Sequence, residues 1–377
     1  KKHGVEFELN YANQSFEKEG KIQFWGGLPI KTVDKGIGLM RSLFNRCEQL
    51  GIDVWYESAA TNIVTENKVV TAIEVQTKDE LKTIECESVV LACGSIEANK
   101  KKRAEALGEE WDEALVRGTE FNTGDGIDMA VSIGAQTYGQ VNGCHAIGTD
   151  ANAPRVGDFQ KPGDIFKKHS YPYSVMVNVE GNRFVDEGAD FRNYTYAKYG
   201  KEILKQPNNI AYQIYDAKVR PILRAEYNLE EATVAEAPTL EALADQLDIN
   251  KEQFLQTINE YNAAVQEGEF NPSDKDGKCT KGITPPKSNW AQTISEGPFY
   301  AYPVTCGITF SFWGLATTPE GEVLNTSNEP IEGLYAAGEM IGGIFYENYP
   351  GGSGLMSGSV FGKLAGAAAS HRAQKVR

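Results

Sequence analysis

The stretch GLYAAGEMIGGIFYENYPGGSGLMSGSVFGKLAG at residues 333–366 contains ten glycines in 34 residues. Its first part, residues 333–337, predicts a short apolar strand that ends at Gly338 and Glu339. A carboxylate at the end of a parallel strand lies where such sheets bind ligands. There it can accept hydrogen bonds from the hydroxyls of a sugar or ribitol chain. The stretch therefore predicts a sheet whose strand ends form a binding site.

The second half of this stretch predicts a helix that begins at Ser353, with this serine as its N-cap. Four glycines recur at every fourth residue and form one bare stripe along that helix: Gly354, Gly358, Gly362 and Gly366. The stripe permits close packing on a sheet or on a flat cofactor, and packing alone explains it equally well. The start of the helix would present N–H groups to negative charge, such as that of a reduced isoalloxazine ring.

The composition limits the classes of protein and partner. The 377 residues carry a formal net charge of -15, which argues against nucleic acid or an anionic membrane surface as a general partner. An anionic ligand must therefore be bound by a local cluster of positive charge. The six cysteines show no CxxC pair and no spacing suited to a metal, which favours free thiols in a reducing, cytoplasmic compartment. The sequence contains neither an apolar signal segment nor a run of about 18 apolar residues, so it predicts neither a secretion signal nor a transmembrane segment.

The order of patterns along the chain predicts an α/β fold. An amphipathic helix is predicted at 36–50, and strands at 52–57, 62–65, 69–76 and 82–92. The turn at residues 124–126 leads into another helix. Further helices are predicted in a middle block that is rich in aromatic and charged residues, at 195–205, 216–227, 239–246 and 250–266. Since the glycine-rich β pattern returns near residue 298, the sequence predicts one domain split by an inserted second domain.

Six segments follow one another in an order that resembles a known flavoprotein family: VVLACGS, TGDGIDMAVSIGA, VNVEGNRFVDE, IYDAKVR, GLYAAGE and GGIFYENYPGGSG. The family is that of fumarate reductases, succinate dehydrogenases and 3-ketosteroid dehydrogenases, and the loop FYENYPGGSGLMSG looks most like tricarballylate dehydrogenase and its relatives. The resemblance implies a discontinuous Rossmann-like FAD-binding domain at 1–139 and 310–377. It also implies an inserted α+β capping domain at 140–309, which closes over the flavin and excludes water.

FAD is the cofactor that the resemblance implies, and its contacts are expected along the strand ends and the last helix. The implied cofactor-binding residues are Ala60, Ala92, Cys93, Gly94, Thr123, Gly124, Asp125, Gly338, Glu339, Ser353, Gly354 and Leu355. One departure is large, because the family opens with a strand and a GxGxxG turn, and the only near match here is GIGLMR at 36–41. We therefore expect such a unit within roughly 100 residues before Lys1, and weak FAD binding without it.

The resemblance also implies catalytic residues for a reaction in which a hydride and a proton add to, or leave, neighbouring carbons. Arg220 matches the arginine that donates a proton in fumarate reductases, with plain surface charge as the alternative. Glu187 and Arg192 match the acidic and basic relay residues loosely, since their spacing differs, and a structural ion pair is the alternative. Tyr349 is expected at the mouth of the flavin site because Pro350 and two glycines shape its loop.

His145 falls at the substrate-binding histidine of the family, with a structural histidine of the cap as the alternative. Tyr346, Thr309 and Ser311 are the other implied substrate-binding residues. In dicarboxylate reductases the segment matching GITFSFWG supplies a histidine and a threonine, and Tyr349 here replaces their loop arginine. A pocket without that histidine and arginine suits fumarate poorly.

The sequence therefore predicts an FAD-dependent dehydrogenase or reductase of CH–CH groups, most like the enzyme that converts tricarballylate to cis-aconitate. A 3-ketosteroid dehydrogenase-like desaturase and a fumarate reductase-like enoate reductase are the enzymatic alternatives. A binding or scaffold protein that has lost its flavin is the alternative outside enzymes. The resemblance implies a small carboxylate or carbonyl substrate and a separate electron-accepting protein or quinone-linked partner.

Overall fold

The structure, a computed structural model, describes residues 3–11, 15–24, 29–157 and 164–376. Helices in these ranges are α1 Lys35–Gln49, α2 Lys100–Leu107, α3 Asp125–Ser132, α4 Arg192–Leu204, α5 Leu240–Ala244, α6 Lys251–Ala264 and α7 Ser353–Val376. The strands are β1 Phe7–Leu9, β2 Ser15–Lys18, β3 Lys21–Phe24, β4 Ile30–Thr32, β5 Ala59–Glu66, β6 Val69–Gln76, β7 Leu81–Glu85, β8 Val89–Leu91, β9 Leu115–Val116, β10 Thr137–Asp150, β11 Val175–Asn178, β12 Ala211–Tyr215, β13 Ala235–Ala237, β14 Phe299–Leu315, β15 Glu322–Leu324 and β16 Pro330–Ala336. The predicted α/β fold class is confirmed.

The first large sheet has the strand order β15-β16-β6-β5, with β7 on β6 and β8 on β16. Strand β16 is parallel to β8, with Leu334 opposite Val89 and Ala336 opposite Leu91. Apolar residues of both strands are buried in one core with residues of α3. Since parallel strands end at the same edge of a sheet, the segments after Leu91 and Ala336 lie side by side.

The second large sheet has the strand order β10-β14-β12-β11, and β9 and β13 also pair with β14. Its core includes α5 and α6, with Leu243, Phe254 and Ile258 fully buried. Strands β10 and β14 pair along their length, from Thr137 opposite Leu315 to Asp150 opposite Val304. The predicted domain boundaries at 139/140 and 309/310 fall inside these two strands, and the division into domains stays a prediction.

Most predicted elements are present, and three differ. Residues 52–57 form no strand, because no neighbouring strand pairs with them in the described structure. The predicted strand 82–92 is two strands, β7 and β8. The predicted helix 216–227 is wrong: the segment forms two short 3₁₀ turns, Arg220–Ile222 and Ala225–Tyr227. Pro221 has no N–H and disfavours the helical conformation of the residue before it.

The amphipathic helix predicted at 36–50 is confirmed as α1, but its apolar residues do not enter a core. None of the residues of α1 is buried, and Ile37, Met40 and Phe44 are exposed. The amphipathic pattern thus predicted the helix correctly, but it did not predict that the apolar face of α1 would stay exposed. None of the helices in the described ranges is long and apolar enough to cross a membrane.

Lys287 is a buried cation, and it gives the structure a testable pH dependence. Its Nζ donates to the carbonyl of Ser174, and burial lowers its pKa to about 8. The folded protein therefore binds fewer protons than the unfolded chain between this pKa and the ordinary lysine value, so stability rises with pH in that range. From pH 7 to 9, we expect the free energy of unfolding to rise by about 1 kcal/mol relative to Lys287→Met. Urea unfolding of both proteins at the two pH values measures this difference, and parallel pH profiles would contradict it.

Candidate functional site

The ends of β8 and β16 bring the predicted cofactor-binding residues together. The N–H of Ala337 donates to the carbonyl of Leu91 over 2.9 Å, which sets Ala92, Cys93 and Gly94 beside Gly338 and Glu339. The Sγ of Cys93 lies 3.8 Å from the Sδ of Met340. These predicted residues thus form one edge of the first sheet.

Helix α3 approaches this edge because of a glycine at its start. A Cβ at Gly126 would lie 2.2 Å from the Sγ of Cys93, so any other residue there would push the helix away. Gly124 has a φ of +85°, a conformation that favours glycine. The sequence TGDG therefore places Thr123, Gly124 and Asp125 next to the end of β8.

Helix α7 begins at Ser353, as predicted, but Ser353 is not its capping residue. Ser353 is already the first residue of the helix, and its hydroxyl donates back to the carbonyl of Pro350. The hydroxyl oxygen of Tyr349 accepts the N–H of Gly354 over 2.8 Å instead. The phenol thus satisfies one of the free N–H groups of the first turn, and its own hydrogen remains to be donated.

The glycine stripe of α7 serves close packing over its first half only. The Cα of Gly338 lies 3.8 Å from the position of a Cβ on Gly358. A Cβ on Gly362 or Gly366 would meet no described atom within 4 Å. The stripe therefore brings the start of α7 against the strand end at Gly338. Leu355, on the same first turn, is 59% exposed.

Two buried carboxyl groups, those of Glu97 and Glu339, lie together behind this edge. The amide nitrogen of Asn122 contacts both, and the N–H of Ser311 donates to Oε1 of Glu339 over 2.9 Å. Burial and the neighbouring Glu97 raise the pKa of Glu339 well above its ordinary value. The pair therefore binds a proton more tightly than a free carboxyl group does, because two adjacent carboxylates repel each other.

The residues at this edge fit the FAD that the sequence implies. Oε1 of Glu97 and Oδ1 of Asn122 are buried acceptors that have no hydrogen-bond partner within the described ranges. Such acceptors suit the hydroxyls of a ribityl or ribose chain. The exposed side chains of Cys93 and Leu355 and the bare backbone at Gly338 leave room for a flat ring. Neither Glu97 nor Asn122 was predicted, although Glu97 closely follows VVLACGS and Asn122 directly precedes TGDG.

A row of four aromatic rings leads from the start of α7, past β10 and α4, to His169. The ring of Tyr349 stacks on His145 at 4.5 Å, with an interplanar angle of 11°. His145 meets the edge of Tyr196 at 5.0 Å, and Tyr196 meets His169 at 5.4 Å. Tyr349 itself is only 8% exposed, packed against Phe310 and Phe345. The predicted position of Tyr349 at the mouth of the site is thus corrected to the inner end of this row.

His145 is neutral and unsatisfied in this row. It is 4% exposed, and neither ring nitrogen has a hydrogen-bond partner in the described part of the chain. Burial, and then the charge of Arg117, lower its pKa well below the ordinary value. A neutral imidazole offers one donor and one acceptor, and leaving both unpaired in a buried place is costly. The arrangement favours a ligand at His145, and the substrate-binding role of this residue stays a prediction.

Two further predicted substrate-binding residues use their polar atoms within the protein. Thr309 accepts a hydrogen bond from Arg117, which also pairs with Asp164. The hydroxyl of Ser311 lies 2.6 Å from that of Ser95, and its N–H binds Glu339, so Ser311 supports the cofactor edge. Tyr346 is 75% exposed on its loop. Ala60 lies opposite Val75 in the first sheet, half-buried against the core.

Two predicted catalytic residues lie outside the aromatic row. The carboxylate of Glu187 is fully buried and binds Arg183 through two hydrogen bonds of 3.1 and 2.6 Å, and it accepts the N–H of Met176. This is the structural ion pair that the sequence left open, and it occupies the oxygens that a proton relay would need. The guanidinium of Arg220 lies over the ring of Tyr300 at 5.1 Å. The structure does not bring Arg220 to His145 or Tyr349, so its catalytic role stays a prediction.

Arg192 does belong to the row. Its Nη1 lies 3.5 Å from Nδ1 of His169, and its guanidinium lies over Tyr196 at 5.4 Å. Burial, and then the charge of Arg224, lower its pKa to about 10. Arg192, Arg224 and His169 line a cavity of about 410 Å³. Sequence reasoning missed His169 and Arg224; the rarity of histidine in the chain was the only signal for the former.

Comparison with known proteins agrees with this geometry. Residues 24–355 match the FAD binding domain family. NADH:fumarate oxidoreductase of Klebsiella pneumoniae (strain 342) is 29% identical over 348 residues, which are 89% of this chain and 34% of that protein. 3-Oxosteroid 1-dehydrogenase of Mycobacterium tuberculosis (strain ATCC 25618 / H37Rv) is 26% identical over 379 residues, 92% of this chain and 65% of that protein.

Among solved structures, the open conformation of a flavocytochrome c3 fumarate reductase is similar, with a TM-score of 0.73 and 26% identity. The alignment covers 99% of this chain and 61% of that one. The chain thus spans between one third and two thirds of the length of these proteins. The predicted family is confirmed, whereas nothing in these similarities points to tricarballylate in particular. The chain belongs to the FAD binding domain family, and FAD is the cofactor that this family indicates.

Proposed function

We propose that this chain is the flavin-binding and substrate-binding part of an oxidoreductase that reduces, or in reverse forms, a C=C bond next to a carboxylate or carbonyl group. The observation that carries this proposal is the stacked pair of His145 and Tyr349 beside the start of α7. Tyr349 joins the pair to the start of α7 through the N–H of Gly354, and both ring nitrogens of His145 lack a hydrogen-bond partner among the described residues. The names of the relatives, with fumarate and 3-oxosteroids as substrates, support the same reaction class.

When bound, FAD supplies the hydride chemistry of this reaction. The chain itself must orient the substrate, stabilise the negative charge on its oxygen and move a proton. Tyr349 is oriented for the second task, because its oxygen is fixed by Gly354 N–H and its hydrogen can be donated. His145 is neutral and can bind a second substrate oxygen.

Arg192 is the residue that we assign to proton transfer. A guanidinium is normally protonated at every physiological pH, so it becomes an effective acid only where its surroundings disfavour its charge. Burial and Arg224 provide such surroundings, and they lower the pKa of Arg192 to about 10. Arg220, which the sequence resemblance favours for this step, contacts Tyr300 instead.

A substrate panel tests the reaction class. We expect the purified protein with added FAD to oxidise a reduced viologen dye when an unsaturated acid such as fumarate or acrylate is supplied. Androst-4-ene-3,17-dione and tricarballylate, each with an oxidised dye, test the steroid and tricarballylate alternatives in the other direction. A yellow protein that turns over none of these compounds would contradict the proposal, and a colourless one that binds no FAD would favour a binding protein. A separate redox partner and a cytoplasmic location remain predictions.

Binding of FAD can be tested without turnover. Glu339→Ala removes a carboxyl from the cofactor edge, and we expect it to weaken FAD binding about 10-fold, the scale of one charged hydrogen bond. Glu320→Ala, at an exposed turn of the same domain, is the matched control and should bind like the unaltered protein. Quenching of flavin fluorescence measures both affinities, and equal affinities for the two variants would remove Glu339 from the cofactor site.

A further inference from the structure

The chain is strongly acidic, so a cluster of partly buried cations calls for an explanation. Arg192 and Arg224 both line the cavity of about 410 Å³, and His169 lies between Arg192 and the aromatic row. Glu226 pairs with Arg224 at 3.0 Å and also acts on the charge of Arg192, so the two arginines share this one carboxylate. The walls also include Tyr173, Trp290 and Ile222, which are largely apolar. The cavity therefore combines positive charge with an apolar lining.

His169 supplies a second, independent sign of a ligand. It is buried, and its Nδ1 faces Nη1 of Arg192, so Nδ1 accepts and Nε2 carries the hydrogen. That Nε2 has no hydrogen-bond partner among the residues that the structure describes. Burial and Arg192 hold the pKa of His169 well below its ordinary value, so the ring stays a neutral donor. A buried N–H without an acceptor, on the wall of a cationic cavity, suits an oxyanion.

We propose that this cavity is a second, oxyanion-binding subsite, in which Arg224 and the Nε2–H of His169 bind a carboxylate at the remote end of the substrate. This inference rests on the proposed function and names its substrate class: unsaturated acids with a second carboxylate about one ring beyond the reacting carbons. The distance follows from the row of rings, since His145 and His169 both contact the same Tyr196.

The electrostatic environment of the cavity agrees with an anionic occupant. Besides the two arginines, Lys167 and Arg117 lie close enough to depress the pKa of His169. Two carboxylates close to these cations, Asp164 and Glu226, are each already paired with an arginine. In a protein with a formal net charge of -15, this is the kind of local positive cluster that an anionic ligand requires.

Two probes that differ only in the remote group test the proposal. Cinnamate and 4-carboxycinnamate share the ring and the unsaturated acid, and only the second carries a remote carboxylate. With FAD present throughout, calorimetry on the full chain should show 4-carboxycinnamate binding about 10- to 100-fold more tightly than cinnamate. Equal affinities would overturn the proposal. Calorimetry measures binding alone, so equal affinities would contradict the subsite and not the proposed reaction. Conversely, absence of turnover in the substrate panel would contradict the proposed reaction and not the subsite.

Variants locate the preference in the cavity. Arg224→Gln should abolish the tighter binding of 4-carboxycinnamate over cinnamate. Arg155→Gln, which removes an exposed arginine, should leave that difference in affinity unchanged. Arg224→Gln also leaves Glu226 without its arginine, so a second pair of variants is needed. Ala225 lines the cavity and is exposed, and Ala225→Asp with its neutral counterpart Ala225→Asn provides this pair. Only Ala225→Asp should lose the preference. A preference that survives both Arg224→Gln and Ala225→Asp would overturn the proposal.

Inorganic phosphate distinguishes a substrate carboxylate from a free anion. Phosphate should compete with 4-carboxycinnamate only weakly, because a tethered carboxylate gains from the rest of the ligand. Saturable phosphate binding that Arg224→Gln abolishes, without any difference between the two cinnamates, would show a free-anion site and overturn the assignment to the substrate.

Discussion

Replacing Tyr349 by phenylalanine is expected to lower kcat/KM. The expected loss corresponds to about 2 to 4 kcal/mol of transition-state stabilisation, the scale of one oxyanion-type donor. The hydroxyl oxygen of Tyr349 accepts the N–H of Gly354 and its hydrogen is free to be donated. The N–H of Gly354, at the positive end of α7, polarises the phenol and so makes its O–H a stronger donor. Steady-state kinetics with the best substrate of the panel measures the loss.

The stability of the same variant separates the two functions of Tyr349. The phenylalanine ring keeps the stack on His145, but Gly354 loses its acceptor, so we expect a loss of about 1 kcal/mol in the free energy of unfolding. Tyr349→Ala should lose several times more, because the ring is buried among Phe310 and Phe345. Near-normal kcat/KM for Tyr349→Phe, with this stability pattern, would leave Tyr349 a structural residue only.

Replacing Arg192 by lysine is expected to lower kcat by about 100- to 10,000-fold with little change in KM, the range for loss of a general acid. Lysine keeps the positive charge but loses the planar fork that faces His169 and Tyr196. Single-turnover measurements would separate the proton-transfer step from product release.

Arg220→Lys is the matched comparison, because the sequence resemblance assigns proton transfer to Arg220. The structure favours near-normal kcat for this variant, since the guanidinium of Arg220 lies over Tyr300. A large loss of kcat in Arg220→Lys together with normal turnover in Arg192→Lys would reverse our assignment. A raised KM with unchanged kcat in either variant would indicate binding of a substrate carboxylate.

The cofactor edge could be predicted from sequence because its signals are local. Strand β16, the turn before α3 and the start of α7 are each encoded by apolar runs and glycines within a few residues. The parallel pairing of β8 and β16 then brings Cys93, Gly94, Gly338 and Glu339 to one edge. Glu97 and Asn122 escaped prediction because their role depends on a contact with Glu339, which is more than 200 residues away in sequence.

The catalytic side chains were harder to predict, because a motif match gives a residue's position in the sequence and not the partners that its side chain contacts in the fold. Glu187 lies in a matching motif, yet it pairs with Arg183 four residues earlier. Within the segment 216–227, Pro221 breaks the predicted helix, and the resulting turns direct Arg220 to Tyr300 while Arg224 lines the cavity. A change in backbone geometry over four residues thus separates the predicted arginine from the one at the cavity.

The sequence by itself determined the α/β class, the family, FAD as the family's cofactor, and the residues at the strand ends. Periodicity, turn chemistry and motif order act over short spans of chain, so they can be recognised without a structure. Only the tertiary structure decided three properties of the site. Tyr349 caps α7, the buried His145 has no hydrogen-bond partner among the described residues, and Arg192, Arg224 and His169 share a cavity. These properties depend on desolvation and on contacts between distant segments, and they arise only when β10, β14 and the helices around them pack together.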